Sequence, residues 1–395
     1  MKTDLTLGYM PLTDSLPLLA ARELGLFREQ GLHVTLKEEV SWANIRDKVI
    51  VGQFDGAQML APMVLASTLG LGGLHKSLIA PYSLNLGGNG ITLAKSLFRD
   101  LEGMTRGRPG AASLKQLIHQ RRLEKRPPLV LAVVFPYSSH NLLLRYWLAS
   151  VGIDPDRDVD TVVLPPSQMV DHLRLGHIHG FCAGEPWNAV ASAHGIGCCV
   201  ATGRDIWQNA PNKVVGMTED WARDNPESLD ALLRALHQAG VWLDRHRDQA
   251  VALLAEHLPV ERRVLAPALL GHNDYRPEAG DALEPDLLVF HRYLANFPWV
   301  SHGYWFLNQM ARWGWLPPEK DLSAVAAACY RPDLYRRALA DTPLPEQDWK
   351  GEGVHAGNWW LATNQGEIEM GADTFVDGEK WELRSMNFLH QSAPR

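Results

Sequence analysis

The sequence predicts a mixed α/β protein with two lobes joined by two crossovers. Strands alternate with short helices in the first hundred residues, the same pattern restarts near residue 129, and the chain becomes mainly helical after Lys213. Such alternation is typical of a largely parallel sheet with helices on both faces. We therefore expect lobe 1 in residues 1–93, lobe 2 in 94–212, a helical return to lobe 1 in 213–340 and a C-terminal extension in 341–395.

The elements of lobe 1 follow from alternating apolar runs and from glycines that end helices. Strands are predicted at 5–9, 33–38 and 90–94, and helices at 14–24, 43–51 and 57–69. Gly25 and Gly52 follow two of these helices, where glycine accepts the left-handed conformation of a helix end.

The second lobe repeats the alternation. Strands are predicted at 129–134, 161–164 and 178–182. One helix is predicted at 141–151, and a second follows residues 165–167 and ends at residue 175. Later helices are predicted at 226–245, 247–257 and 286–297, followed by a Trp-rich amphipathic helix within 299–315 that packs on lobe 1. Strand-like pieces at 374–376 and 381–383 lie in the extension.

Composition limits the classes of function. The 395 residues are 46% hydrophobic and 21% charged, with a net charge of −7, which argues against direct nucleic-acid binding through a broad basic face. No apolar run is long enough for a membrane span. The opening MKTDLTLGY has no export signal, so we expect a cytoplasmic protein. Four cysteines without CxxC spacing predict reduced thiols.

Catalytic and metal-binding motifs are missing from the sequence. There is no GxxxxGK[ST] phosphate loop, no GxGxxG after a strand, no GxSxG and no HExxH. His172, His177 and His179 lack a carboxylate or thiolate at metal-ligand spacing. The sequence therefore predicts a protein that is not an enzyme and holds no metal or cofactor.

Five single residues at predicted strand ends and helix starts suggest a binding site instead. They are Trp42, Asn89, His140, Gly184 and Lys213. In an open α/β lobe these positions face one crevice. A cation, an imidazole, an indole and a backbone N–H suit a small anion, although their geometry alone does not identify it.

Several segments resemble the NrtA-type family of nitrate- and bicarbonate-binding proteins. The matching segments are LGYMPLTD at 7–14, LLAAR at 18–22, GLF at 25–27, SWANIRDK at 41–48, DGAQ at 55–58, APM at 61–63 and CAGEPWN at 182–188. The resemblance runs from about residue 4 to about residue 330. It implies a two-lobed periplasmic-binding-protein-like fold with two crossovers and a ligand cleft between the lobes.

The resemblance also implies which residues contact the ligand. The contacts of nitrate-binding members fall on Trp42, His140, Gly184 and Lys213, and a further glutamine falls on Asn89, whose side chain is shorter. Gln58, Glu185 and Trp187 in the matching segments are second-rank candidates. Bicarbonate-binding relatives use calcium and carry a carboxylate at the position of Lys213, where an ammonium would repel calcium. Nitrate or nitrite is therefore the expected ligand.

Without an export signal, the chain resembles the cytoplasmic branch of the family, the NasS-type nitrate/nitrite sensors. This implies control of an RNA-binding antiterminator partner (NasT-type, with an ANTAR domain), with no direct contact to nucleic acid or membrane. Three alternatives remain: a solute-binding protein of a nitrate/bicarbonate ABC transporter, a binding module fused to a transport ATPase, and an enzyme like the thiamine-pyrimidine synthases.

Overall fold

The computed structural model describes residues 1–271, 286–317 and 320–382. Lobe 1 starts with β1 (Asp4–Tyr9), α1 (Leu16–Glu23), α2 (Leu26–Glu29), β2 (His33–Glu38), α3 (Trp42–Ile50), β3 (Gly56–Leu60), α4 (Ala61–Thr68) and β4 (Leu78–Ser83). The chain then leaves the lobe through the short strand β5 (Leu86–Gly87).

Lobe 2 occupies the middle of the chain. It contains β6 (Asn89–Ala94), α5 (Lys95–Glu102), α6 (Ala111–Leu123), β7 (Leu129–Val133), α7 (Ser139–Ala149), β8 (Val159–Val163), α8 (Met169–Arg174), β9 (Gly180–Gly184), α9 (Trp187–Ala193) and β10 (Gly197–Thr202). The second crossover carries α10 (Gly203–Ile206).

The chain returns to lobe 1 at Lys213. The returning elements are β11 (Lys213–Thr218), α11 (Glu219–Asp224), α12 (Pro226–Arg245), α13 (Arg247–His257), α14 (Arg262–Leu270), β12 (Leu288–Val289), α15 (Val300–Arg312), α16 (Leu322–Cys329) and α17 (Pro332–Ala338). A hairpin of β13 (Trp359–Thr363) and β14 (Gly366–Met370) follows. Among the described helices, none combines the length and apolar character needed to cross a membrane.

Each lobe is centred on a five-stranded sheet, with strand orders β2-β1-β3-β11-β4 and β10-β6-β9-β7-β8. In lobe 1, β1 is parallel to β2 and β3, and the returning strand β11 is antiparallel to β3 and β4. The predicted two-lobed α/β fold with two crossovers is confirmed. The chain passes to the second sheet between Ser83 and Asn89, so the expected boundary at residues 93 and 94 lies inside β6.

Two long-range packing features hold the lobes together. Helix α15 packs on α4 of lobe 1, as predicted for the Trp-rich segment, and also on α7 of lobe 2. The C-terminal segment, residues 341–382, places Phe375 against Trp207, Tyr146 and Trp305, with ring centroids 4.8, 5.6 and 5.8 Å away. Residues 341–382 are therefore part of the folded core.

Three sequence predictions of secondary structure are wrong. The predicted helix at 57–69 is strand β3 followed by α4, which begins at Ala61 with Pro62 in its first turn. The predicted helix at 286–297 is β12 and a 3-10 turn, because the Asp244 carboxylate accepts the N–H groups of Phe290, His291 and Arg292 and fixes a non-helical backbone.

The third error lies in the extension. Residues 374–376 form only one isolated bridge, between Phe375 and Trp207, and Trp381 bridges Glu352 in the same way. Residue 383 of the other predicted strand lies outside the described residues. The extension's regular strands, β13 and β14, were not predicted.

None of the four cysteines, all within the described ranges, forms a disulfide bond.

Candidate functional site

The two lobes meet around a buried ion pair between Asp14 and Lys213. Asp14 lies in a 3-10 turn after β1, and Lys213 is the first residue of β11. Asp14 Oδ2 and Lys213 Nζ are 2.7 Å apart, and the side chains are 1% and 0% exposed. An ion pair so fully removed from water needs further polar partners to offset desolvation.

Two amides provide those partners. Gln58 Nε2 donates to Asp14 Oδ1 at 2.5 Å, while its Oε1 accepts the Met10 N–H at 2.9 Å. Lys213 Nζ donates to Asn212 Oδ1 at 2.9 Å, and Asn212 Nδ2 lies 3.4 Å from Asp14 Oδ2. The ammonium therefore uses two of its three hydrogens within the protein and keeps one for another acceptor.

His140 brings an unpartnered imidazole from lobe 2. It lies in the first turn of α7, which Ser138 caps by accepting the Asn141 N–H at 3.0 Å. The ring is completely buried, and neither nitrogen has a hydrogen-bond partner among the described residues. Burial and, to a lesser extent, the Lys213 charge hold the pKa of His140 well below its usual value. The neutral ring has one N–H to donate.

Gly184 lies between the ion pair and the imidazole. A Cβ added at Gly184 would be 3.4 Å from Asp14 Oδ2 and 3.5 Å from His140 Nε2. The glycine therefore leaves open a space that both polar groups border. It ends β9 and does not start a helix as predicted, because α9 begins three residues later at Trp187.

Trp42 covers the ammonium from lobe 1. Trp42 is the first residue of α3, whose N-cap Ser41 accepts the Asn44 N–H at 3.2 Å. Lys213 Nζ lies 5.5 Å from the centre of the Trp42 ring, within cation–π range. The buried indole Nε1 has no partner among the described residues.

Asn89 lies next to Gly184 in the second sheet, where the two residues are paired across β6 and β9. Its buried Oδ1 lies against Gly203, only 2.1 Å from where a Cβ of Gly203 would be, and has no described partner. The structure thus places Asn89 beside the cluster, with its side chain against the start of the second crossover.

The second-rank candidates have three different places. Gln58 belongs to the ion-pair network described above. The Glu185 carboxylate accepts the Ala189 N–H at 3.2 Å inside α9, and burial raises its pKa to about 7. Trp187 starts α9 and has a buried Nε1 without a described partner.

Sequence reasoning missed Asp14, Asn212 and Ser139 as members of the site. Asn212 precedes Lys213, and its Oδ1 also accepts from Ser139 Oγ at 2.8 Å, which links the second crossover to α7. The available signal was the position of Asp14 in the connection between β1 and α1, within one of the family-like segments.

The arrangement can bind a small hydrogen-bond acceptor with negative charge. One ammonium hydrogen, an imidazole N–H and an indole N–H have no acceptor within the cluster, and charge-assisted hydrogen bonds favour an anion there. The lobes are closed over this space, since the Thr13 N–H of lobe 1 donates to the Glu185 carbonyl of lobe 2 at 2.9 Å. In the described ranges, no three His, Cys, Asp or Glu side chains converge as metal ligands.

Comparison with known proteins identifies similar chains. A family model described as "NMT1-like family" matches residues 1–258. The nitrate/nitrite binding protein NrtA of Synechococcus elongatus is 34% identical over 363 residues, which cover 88% of this chain and 80% of that protein. The nitrate import ATP-binding protein NrtC of Synechocystis is 38% identical over 353 residues, covering 87% of this chain. The chain spans about half the length of NrtC, 51%.

Solved structures show the same architecture. The periplasmic nitrate-binding protein NrtA from Synechocystis superposes with a TM-score of 0.85 at 27% identity, covering 99% of both chains. The ligand-binding component of an ABC-type import system from Staphylococcus aureus has a TM-score of 0.66 at 18% identity, covering 85% of this chain and 99% of that one, and it shows the fold alone.

Proposed function

The chain belongs to the NMT1-like family and is a homologue of the NrtA nitrate/nitrite binding proteins, and from this premise we propose that it binds nitrate or nitrite between its two lobes. The single observation that carries the proposal is the buried ammonium of Lys213, which faces a space bordered by His140 and Gly184. Two relatives that align over most of this chain and most of their own length are described as nitrate/nitrite binding proteins. This is in line with the expectation that the chain is not an enzyme.

The chemistry of the site supports an oxyanion of single charge. Nitrate and nitrite are acceptors at every oxygen, which matches the donors from Lys213, His140 and Trp42. Calcium prefers several oxygen ligands, and the described residues bring no group of three His, Cys, Asp or Glu side chains together, which weighs against a calcium-dependent bicarbonate site. Asn89, beside Gly184, adds an amide that contacts the anion only if its side chain turns away from Gly203.

Calorimetric titration with nitrate, nitrite, bicarbonate and chloride tests the proposal. We expect saturable one-to-one binding of nitrate or nitrite without added metal, and no comparable binding of bicarbonate with or without calcium. Absence of binding heat for both nitrogen oxyanions, together with an unchanged melting temperature in their presence, would refute it.

The cellular output of binding is a separate part of the proposal. The relatives favour uptake, because they are described as nitrate/nitrite binding proteins and import proteins. In that role the closed, loaded form would be presented to a membrane transporter. Import proteins about twice the length of this chain share the same module, so one binding fold serves chains of different organisation.

A regulatory output is the second candidate. In it, a cytoplasmic receptor would hold an RNA-binding antiterminator and release it when the lobes close on nitrate. The acidic chain, with a net charge of −7, favours a protein partner over direct contact with RNA. Co-purification with such a partner, followed by size-exclusion chromatography with and without millimolar nitrate, separates the outputs. A complex that nitrate leaves intact would exclude release as the signal.

A further inference from the structure

The cation of the site is already neutralised before any anion arrives. Lys213 is paired with Asp14 at 2.7 Å, and His140 is neutral because burial and the nearby ammonium disfavour its charged form. The formal charges of Asp14, Lys213 and His140 therefore sum to zero. A bound monoanion would leave this buried cluster with one net negative charge, which is strongly disfavoured away from water.

We propose that nitrate or nitrite binds together with one proton from solvent, and that the Asp14 carboxylate accepts this proton. The inference rests on the proposed function, and it adds how the site balances its charge. Protonation of Asp14 would convert the neutralised ion pair into a lysine cation beside a neutral carboxylic acid. The ammonium would then balance the anion, and the new O–H would be a further hydrogen-bond donor.

The geometry places the anion and the carboxylate side by side. The open space at Gly184 is 3.4 Å from Asp14 Oδ2 and 3.5 Å from His140 Nε2. An anion that accepts the His140 N–H there lies within about 4 Å of a carboxylate oxygen, and like charges at this distance disfavour ionisation of both groups. Nitrate is a very weak base, so the proton goes to the carboxylate.

Asp14 cannot relieve the repulsion by moving into solvent. It is 1% exposed, and its two oxygens are held by Gln58 Nε2 and Lys213 Nζ at 2.5 and 2.7 Å. Burial already raises the pKa of Asp14 above its usual value, although Lys213 opposes this rise. The anion would weaken that opposition by engaging the same ammonium.

The other titratable groups facing Asp14 are poorer acceptors for the proton. Burial lowers the pKa of Lys213 on β11, but the Asp14 carboxylate favours its charged form, and a second positive charge on His140 of α7 would lie close to that ammonium. Burial raises the pKa of the Cys182 thiol on β9, which therefore stays protonated. The Glu185 carboxyl after β9, whose pKa burial raises to about 7, titrates in the same range, but it accepts the Ala189 N–H of α9 and is not bonded to Lys213. The side chains of Trp42 from α3 and Gln58 from β3, which contact the ion pair, are uncharged.

Calorimetry in buffers of different ionisation enthalpy counts the protons. Nitrate is titrated into the full chain in Tris, imidazole and phosphate at pH 7, and the affinity is then followed from pH 5.5 to 8.5. We expect uptake approaching one proton per nitrate and a Kd that weakens by up to about tenfold per pH unit in this window. Binding with no proton uptake and a flat pH profile overturns the inference, whereas no binding at any pH overturns the proposed function.

Two matched variants identify the proton acceptor. Asp14→Asn keeps the size of the side chain and should bind nitrate without proton uptake between pH 6 and 7. Glu185→Gln removes the other buried carboxyl near the site and should retain the uptake. Uptake that persists in Asp14→Asn, or is lost in Glu185→Gln, excludes Asp14 as the acceptor. Near-native circular dichroism and a cooperative melting transition confirm that each variant is folded.

Discussion

Asp14 and Lys213 are 199 residues apart in the chain, yet their oxygen and nitrogen atoms are 2.7 Å apart at the meeting point of the lobes. Asp14 follows the first strand, and Lys213 begins the strand that returns after the whole of lobe 2. The pair therefore forms only when the excursion through lobe 2 is complete. The geometry of the candidate site therefore depends on the two-crossover topology.

Lys213→Met should remove most anion affinity and lower stability. A charge-assisted hydrogen bond contributes about 1.5–3 kcal/mol, so Kd should rise roughly tenfold to a hundredfold. Loss of one member of a buried pair should lower the free energy of unfolding by about 3–5 kcal/mol, because Asp14 is left without its cation. Calorimetry and chemical denaturation measure the two effects.

Lys76→Met is the matched control for that variant. Lys76 pairs with Asp220 at 2.6 Å, but both side chains are well exposed, at 38% and 52%. An exposed pair contributes about 0–1 kcal/mol, so affinity and stability should barely change. Unchanged nitrate affinity in Lys213→Met would remove this lysine from the site.

Gly184→Ala should block the anion and leave the fold intact. The new methyl group would lie 3.4–3.5 Å from Asp14 Oδ2 and His140 Nε2, an ordinary contact distance, but it would fill the space between them. We expect at least a tenfold loss of nitrate affinity with a small change in melting temperature. Gly107→Ala, whose added Cβ meets nothing within 4 Å, should bind normally. Equal affinities of the two variants would place the anion elsewhere.

Glu185→Gln should change how stability depends on pH. Burial raises the pKa of Glu185 to about 7, above its unfolded value of about 4.3. Its contribution to stability is therefore fully present below pH ~4.3 and is lost as pH rises through about 7. The glutamine avoids this loss, so the variant should gain up to about 3 kcal/mol on the native protein between pH 5 and 8. The same difference in unfolding free energy between the variant and the native protein at pH 5 and at pH 8 would contradict the buried position of Glu185.

Phe375→Ala should destabilise the contact between the C-terminal segment and both lobes. Phe375 stacks on Trp207 at 4.8 Å and packs against Tyr146 and Trp305. Truncating a buried phenylalanine costs about 3–5 kcal/mol. The neighbouring Val376 is 44% exposed, so Val376→Ala should change the free energy of unfolding by no more than about 0.5 kcal/mol. Equal denaturation midpoints for the two variants would show that the aromatic contact is dispensable.

The fold was predictable where local pattern and tertiary environment agree. Helices α12 and α13 have the bounds expected from the sequence, because the periodicity of their apolar residues and the residues at their ends indicate the same limits. Strand β3 was missed because its five residues are all buried and continue directly into α4, so no alternation or turn marks the change. Residues 286–297 depend on the distant Asp244 carboxylate, which no local pattern reveals.

The same distinction applies to the site. The structure brings Trp42, His140, Gly184 and Lys213 to one buried space, whereas their contact with an anion remains a prediction. Asp14 was overlooked because no local pattern shows that its carboxylate faces Lys213, which is 199 residues away in the chain. The sequence also did not predict the direction of the Asn89 side chain, which lies against Gly203.

The position of Phe375 also affects the order in which the protein can be completed during synthesis. Trp305 is made last among the three rings that Phe375 covers, and it precedes Phe375 by 70 residues (375 − 305). At roughly 5–20 residues per second, ribosomes need about 4 to 14 seconds for that stretch. During this interval the aromatic surface formed by Tyr146, Trp207 and Trp305 has no Phe375 to cover it, so the contact between the C-terminal segment and both lobes can form only late in synthesis.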